Sequence, residues 1–125
     1  MSNIALRYAA EGAAERGIDL ECVRHDLEAD GLPDRTWDVA LIHLFFDRQV
    51  LDAAPQHLNV GGLLAFMQPT ARNLDSHPSP SRRFLVDEGE IGSWAAGRAD
   101  LEVVSIAEGW MPTGRHETQL LARRV

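Results

Sequence analysis

Acidic and imidazole side chains stand at the ends of predicted strands, where ligand-binding residues are expected in an α/β protein. Asp26 directly follows the predicted strand 18–24, within the sequence HDLE. Its carboxylate can accept hydrogen bonds from an amine or hydroxyl of a ligand, or it can cap the turn that follows. Position in the sequence leaves both roles open.

His43 lies at the end of the apolar stretch WDVALIHL and is followed by Leu44, Phe45 and Phe46. An imidazole beside such an apolar wall can act as a base or lie against a cofactor. A packed, hydrogen-bonded histidine is the structural alternative. His43 is therefore a candidate catalytic residue, and no catalytic base is assigned.

Further polar side chains follow the predicted strands. Asp47 and Arg48 can form a substrate-binding pair, although an N-cap at Asp47 with Arg48 exposed in the first helical turn explains them better. The remaining polar residues can line a pocket after the next strand or lie in the loop beyond it: Gln68, Pro69 and Thr70, then Arg72, His77, Arg82 and Arg83. The loop cations can attract an anionic substrate or simply be solvated.

Several classes of site have no matching motif. The five histidines are dispersed, and neither HExxH nor a paired-cysteine spacing occurs, so no metal site is predicted. No GxSxG or Cys/His arrangement indicates a nucleophile. The ten glycines include no GxG, so the sequence predicts no loop that could hold a nucleotide cofactor through its backbone amides.

Composition narrows the class of protein. With 12 Lys+Arg against 19 Asp+Glu the formal charge is −7, and there is no lysine, so binding to nucleic acid or an anionic membrane is disfavoured. No apolar run approaches the roughly 18 residues of a membrane span, and no signal peptide is evident. Cys22 is the single cysteine in the sequence, so an intramolecular disulfide is excluded. Its side chain is predicted to be buried. We expect a cytoplasmic protein whose residues 1–125 form a single domain.

Hydrophobic periodicity predicts alternating helices and strands. A helix over 3–16, capped by Ser2 and ended by Gly17, precedes an edge strand over 18–24. The next elements are a central strand at 37–44 buried on both faces, a helix at 47–58 shortened by Pro55, and a strand at 63–67. An exposed loop at 69–83, either a lid or disordered, is followed by a helix at 87–96 and strands at 101–108 and 118–125, joined by a long hairpin connection at 109–117.

This order predicts an α/β fold of about five strands, mostly parallel, with the last strand antiparallel and helices on both faces. Ligands bind such sheets at the carboxyl ends of the strands. Residues 24–27, 43–48 and 67–72 are therefore the places where a site is expected.

Four segments together resemble a known family. They are DLECVRHDLE (19–28), LPDRTWDVALIHLFFDR (32–48), LNVGGLLAFMQP (58–69) and the terminal ETQLLARR. In order and spacing they resemble class I S-adenosylmethionine-dependent methyltransferases of Rossmann-like fold, in particular the small tellurite-resistance-like bacterial enzymes. The resemblance covers nearly the whole chain.

The resemblance implies a cofactor, a reaction and site residues. S-adenosylmethionine would donate a methyl group to a small-molecule acceptor. Asp26 would contact the adenine amine, Leu27 would pack on the adenine ring, and His43 and Leu44 would lie under the methionine moiety and the substrate.

The resemblance also implies that an opening unit is missing: the family's first strand with its glycine-rich loop, the next helix and the second strand. We therefore expect a truncated domain with little or no activity. The two apolar strand edges left unpaired would be completed by a longer chain, by direct pairing into a five-stranded remnant, or by a homodimer. A non-catalytic module that dimerises or binds a partner is the competing function.

Overall fold

A computed structural model describes residues 2–125. The described chain forms two compact units, one ending at Gly31 and the other comprising Leu32–Val125.

The first unit begins with the helix α1, Asn3–Glu15. The Ser2 hydroxyl accepts a hydrogen bond from the Ala5 N–H, which satisfies one of the free amides at the helix start. Gly17 follows the helix with φ 64°, a left-handed conformation that glycine adopts without strain. Both predicted helix boundaries are confirmed.

The predicted strand at 18–24 is wrong. These residues form no strand, because no other segment of the described chain offers them a ladder of hydrogen bonds. Ile18 and Leu20 are half exposed, and Cys22 is exposed rather than buried. The alternating pattern of this segment is real, but alternation without a partner strand does not make a sheet. A one-turn helix, α2, closes the unit at Leu27–Asp30.

The second unit is built on a mixed sheet of four strands: β1 Trp37–His43, β2 Leu58–Pro69, β3 Leu101–Trp110 and β4 His116–Arg124. Their order in the sheet is β1-β2-β4-β3. β1 and β2 are parallel, whereas β4 runs antiparallel to both of its neighbours. The α/β fold and its antiparallel closing strand are confirmed, with four strands paired instead of about five. The hairpin connection is short, because β3 and β4 extend to Trp110 and His116.

Two short helices cover one face of this sheet: α3, Arg48–Ala53, and α4, Glu90–Ala96. Residues of both helices pack with alternate residues of β2 and β4 in one apolar core, whose members include Leu51, Ile91, Leu64, Phe66, Leu120 and Ala122. Pro55 lies in a 3-10 turn, Ala54–His57, directly after α3. The predicted shortening of that helix by proline is thus confirmed.

β1 lies at the edge of the sheet, so its predicted central position is wrong. Only one of its faces meets the core, through Ala40 and Ile42. On the other face Val39 is 59% exposed and Leu41 is 69% exposed. The continuous apolar run predicted burial on both faces of the strand. Within residues 32–125, however, α3 and α4 both pack on the same face of the sheet.

The segment between β2 and α4 is more structured than the predicted exposed loop. It contains two 3-10 turns, Ala71–Asp75 and Arg82–Phe84, and a bridge between Thr70 and Val86. Asn73, Leu85 and Val86 are buried, while residues 75–84 are exposed or nearly so. The segment is therefore pinned at both ends and open to solvent in its middle.

Candidate functional site

The carboxyl end of β1 has an unusual backbone. Leu44 has φ 55°, the one positive value found at a residue other than glycine within 2–125. Its N–H donates to the Met67 carbonyl at 3.1 Å, so the strained turn is fixed against β2. Left-handed backbone at a leucine costs free energy and is concentrated at functional sites. This turn is where the sequence predicts a ligand.

Residues after the turn anchor it to the core. Phe46 is buried and meets Phe66 edge to face, with ring centroids 6.2 Å apart. The Asp47 carboxylate then accepts from the Val50 N–H at 3.0 Å and caps α3. The N-cap interpretation of Asp47 is confirmed.

Arg48 is not simply solvated, because it forms a bidentate ion pair with Glu90 at 2.7 and 2.8 Å. This pair ties α3 to α4. Burial acts to raise the pKa of Glu90, but the hydrogen bond from Arg48, the Asp87 N–H and the guanidinium charge together lower it below its ordinary value. The same hydrogen bond raises the pKa of Arg48, against the opposing effect of burial.

A shallow hollow of about 350 Å³ lies on the sheet face that α3 and α4 leave open. Strand register places His43, Met67, Gln119 and Ala107 in one row across this face. The next row toward the amino end of β1 consists of Leu41, Ala65, Leu121 and Ser105. Ser105 and Ala107 are small, and this makes room above β3 and β4. The hollow has a mainly apolar lining that includes the Gln119 amide. His43 does not line it but lies beside Met67 at its margin. Such a hollow suits an apolar group held by one or two hydrogen bonds.

The opposite face of the sheet becomes polar at the same end. Thr70 Oγ1 and His116 Nδ1 are hydrogen-bonded at 2.7 Å, and both residues are buried. The Asn73 amide group donates to the carbonyls of Thr70 and His116, and its oxygen accepts from the His116 N–H. Asn73 therefore bridges the strand ends as a peptide group would, and this cluster holds the start of the loop in place.

Gln68 lies one row below this cluster and is only 4% exposed. Its amide nitrogen donates to the Phe84 carbonyl at 2.6 Å, while its amide oxygen has no hydrogen-bond partner among residues 2–125. Opposite it, the Thr118 hydroxyl donates to Glu108 at 2.6 Å. Gln68 and Thr70 thus line the buried base of the loop, not the open hollow.

Asp26 and Leu27 lie in the first unit, at the start of α2. Asp26 Oδ1 accepts from the N–H groups of Glu28 and Ala29, each at 3.1 Å. Asp26 therefore caps the amino end of α2, and a single carboxylate oxygen, Oδ1, accepts both hydrogen bonds. Leu27 is half-buried.

The loop cations are mostly paired. Arg82 contacts Asp87 at 2.6 Å and Arg72 contacts Glu88 at 3.5 Å. Arg83 lies over the ring of Phe84, 4.3 Å from its centroid. These contacts favour the solvated, structural role over an anion site.

Sequence reasoning missed Asn73 and His116. A histidine in a predicted hairpin and an asparagine in a predicted loop both looked exposed, because their partners lie more than 40 residues away. Among residues 2–125 no group of His, Cys, Asp or Glu side chains is arranged to hold a metal ion. No helix in the described part is both long and apolar enough to cross a membrane.

No protein-family model matches the sequence, and no curated protein matches it. Solved structures match almost the whole chain. TehB from Haemophilus influenzae matches with a TM-score of 0.75 at 18% identity, over 99% of this chain and 48% of TehB. A methyltransferase from Clostridium acetobutylicum ATCC 824, described as S-adenosylmethionine-dependent, gives a TM-score of 0.70 at 11% identity, over 98% of this chain and 72% of that one. The chain has the fold of a class I S-adenosylmethionine-dependent methyltransferase.

This methyltransferase fold confirms the resemblance inferred from the four sequence segments. A further match is the O-methyltransferase family 2 protein from Planctomyces limnophilus DSM 3776, solved with apigenin, at a TM-score of 0.65 and 23% identity. That match covers 98% of this chain and 42% of the other. The chain thus spans about half the length of TehB and less than half of the Planctomyces protein.

Proposed function

We propose that the carboxyl ends of β1 and β2 form the part of an S-adenosylmethionine-dependent methyltransferase site that faces the methionine end of the cofactor. The observation that carries this proposal is the left-handed Leu44, hydrogen-bonded to Met67 at the end of the parallel pair in this fold. Strained backbone at strand ends is typical of ligand sites in α/β sheets.

Two residues of the first unit enter the proposal through the sequence resemblance. Asp26 would accept a hydrogen bond from the adenine amine, and Leu27 would pack on the adenine ring. The two N–H groups that Asp26 caps both donate to Oδ1. Capping therefore leaves Oδ2 available for an amine donor.

The proposed acceptor is a small molecule. When bound, S-adenosylmethionine supplies an activated methyl group. The apolar floor of the hollow would exclude water from a methyl acceptor, and Gln119 in its lining would orient that acceptor, with His43 beside Met67 at the margin. His43 is exposed and lies beside Met67 in the same row of the sheet face. Its imidazole is therefore the candidate base that removes a proton from the methyl acceptor.

We further propose that the 125-residue chain by itself binds the cofactor weakly and transfers methyl groups slowly or not at all. The support is the absence of any GxG in its sequence, because such loops present backbone amides and close approach to a nucleotide cofactor. We place the protein in the cytoplasm, where an exposed cysteine such as Cys22 stays reduced.

Calorimetric titration with S-adenosylmethionine tests the binding proposal. The 125-residue chain should show no saturation below about 1 mM cofactor. Tight one-to-one binding would overturn the expectation of weak binding. If tight binding is found, Asp26→Asn should weaken it while the matched control Asp30→Asn, in the same short helix, should not; equal effects would remove Asp26 from the proposed site.

The competing function, a non-catalytic module that associates through its sheet edge, is favoured by one observation: β1 pairs on one side only. A methyl-transfer assay with a panel of small phenols, thiols and amines tests the competing function. Turnover above the background rate by the purified chain would contradict the non-catalytic module.

A further inference from the structure

The outer edge of β1 carries unpaired backbone groups. The Leu44 N–H points to Met67 on β2. Since backbone groups along a strand alternate in direction, the N–H and C=O groups of Val39, Leu41 and His43 point away from β2. No other strand within residues 2–125 pairs with this edge.

This edge has little protection against pairing with another chain. β1 is seven residues long and contains neither lysine nor proline. Its one acid is Asp38, and its one register irregularity lies between Trp37 and Val39, so both are confined to the amino end. Edge strands usually carry charges, prolines, bulges or a covering element that discourage association. Here Val39 and Leu41 are instead apolar and mostly exposed.

We propose that β1 pairs with β1 of a second copy of this chain, antiparallel, about a two-fold axis at Leu41. In this register Leu41 lies opposite the partner's Leu41, and Val39 lies opposite the partner's His43. Each of these pairs exchanges two backbone hydrogen bonds, so every outward N–H and C=O of the three residues is satisfied. The two sheets become one continuous sheet, and the inference does not rest on cofactor binding.

Charge does not oppose this register locally. Each copy carries a net charge of −7, which opposes association in general. The edge itself has a single acid, Asp38, which falls opposite the partner's Leu44, so no like charges face each other. The apolar side chains at the axis meet apolar side chains, as a self-complementary interface requires.

Cysteine crosslinking tests the register. In a Cys22→Ser background, Leu41→Cys places two thiols opposite each other at the axis, with Cα atoms about 5.5 Å apart, within reach of a disulfide. Val39→Cys is the matched control, on the same face of the same strand. The two copies of residue 39 are about 14 Å apart in this register, too far for a disulfide.

Under mild oxidation, Leu41→Cys should form a covalent dimer and Val39→Cys should remain uncrosslinked. Equal crosslinking of both variants, or of neither, would overturn the register.

Light scattering after size exclusion tests the association itself. The wild-type chain should have the mass of a dimer. Leu41→Glu should have the mass of a monomer, since it sets two carboxylates opposite each other. Val60→Glu should stay dimeric, because Val60 is 80% exposed on β2, away from the edge. A wild-type monomer, or a monomer for both variants with unchanged circular dichroism, would overturn the proposal.

Discussion

At the scale of single residues, two departures from low-energy geometry lie at the end of the sheet where β1 and β2 end. Leu44 is left-handed, and the Gln68 amide oxygen is buried without a partner. Leu44 directly follows β1, and Gln68 is the penultimate residue of β2. A leucine in that conformation is retained against its cost in free energy, and this points to a ligand or a turn that the fold needs there.

Leu44→Gly tests whether that strain is real. Glycine adopts φ near 55° without strain, and Leu44 is 47% exposed, so little burial is lost. We expect the free energy of unfolding to rise by about 1 kcal/mol in a denaturant titration. Leu41→Gly, in the regular part of the same strand, should instead lower it. A loss of stability in Leu44→Gly as large as that in Leu41→Gly would contradict left-handed strain at this turn.

Glu90 makes stability depend on pH. Its pKa is lower in the folded protein than in the unfolded chain, so its contribution is present above the unfolded pKa and lost as pH falls below about 4.3. In thermal unfolding, Glu90→Gln should melt at a clearly lower temperature than wild type at pH 7, and the difference should be smaller at pH 3. Glu102→Gln, at an exposed position of β3, is the control, and its melting temperature should equal that of wild type at both pH values. A pH-independent effect of Glu90→Gln would mean that charge does not stabilise this contact.

At the scale of elements, the parallel pair β1–β2 depends on one close approach. A Cβ built on Gly62 would lie 2.8 Å from the Asn59 carbonyl oxygen and 2.9 Å from that of Asp38. These are backbone atoms, which cannot move aside as a flexible side chain can. The glycine is therefore required by packing between the strands.

Gly62→Ala should lower the free energy of unfolding by about 1–3 kcal/mol, as overpacking does. Gly109→Ala is the matched control: it lies in β3, has an ordinary φ, and a Cβ there meets nothing within 4 Å. Chemical denaturation of the two variants gives the comparison. A cost for Gly109→Ala equal to that for Gly62→Ala would show that strand propensity, not the close contact, sets the effect.

Local signals predicted most of these elements. Ser2 and Gly17 bound α1, Asp47 caps α3 and Pro55 ends it. Each of these signals acts within a few residues, so the sequence carries it directly.

Long-range pairing was harder to predict. The pattern of β1 could not reveal that only one of its faces is covered, and that of 18–24 could not reveal that a partner strand is lacking. The Asn73–His116 bonds join residues 43 positions apart, which no short pattern shows. For the candidate site, position at a strand end predicted His43 and the family resemblance added Leu44. The left-handed conformation of Leu44 and the small residues that deepen the hollow are visible only in the structure.

At the scale of the whole molecule, the methyltransferase fold supports our proposal that a cofactor would bind at the carboxyl ends of β1 and β2. Similarity to TehB and the other solved structures supports the fold, at identities of 11 to 23% for the three compared. The proposed cofactor contacts at His43, Leu44 and Met67 can be tested by a direct measurement.

That measurement is a titration of the isotopically labelled chain with S-adenosylhomocysteine, followed by amide chemical shifts in NMR spectra. Because shifts respond to weak binding, the test works even at millimolar affinity. We predict concentration-dependent shifts at His43, Leu44 and Met67, with no change at Gly97 near the opposite end of the sheet. Unchanged amide shifts at Leu44 and Met67 at the highest S-adenosylhomocysteine concentration, or shifts confined to other residues, would contradict the account.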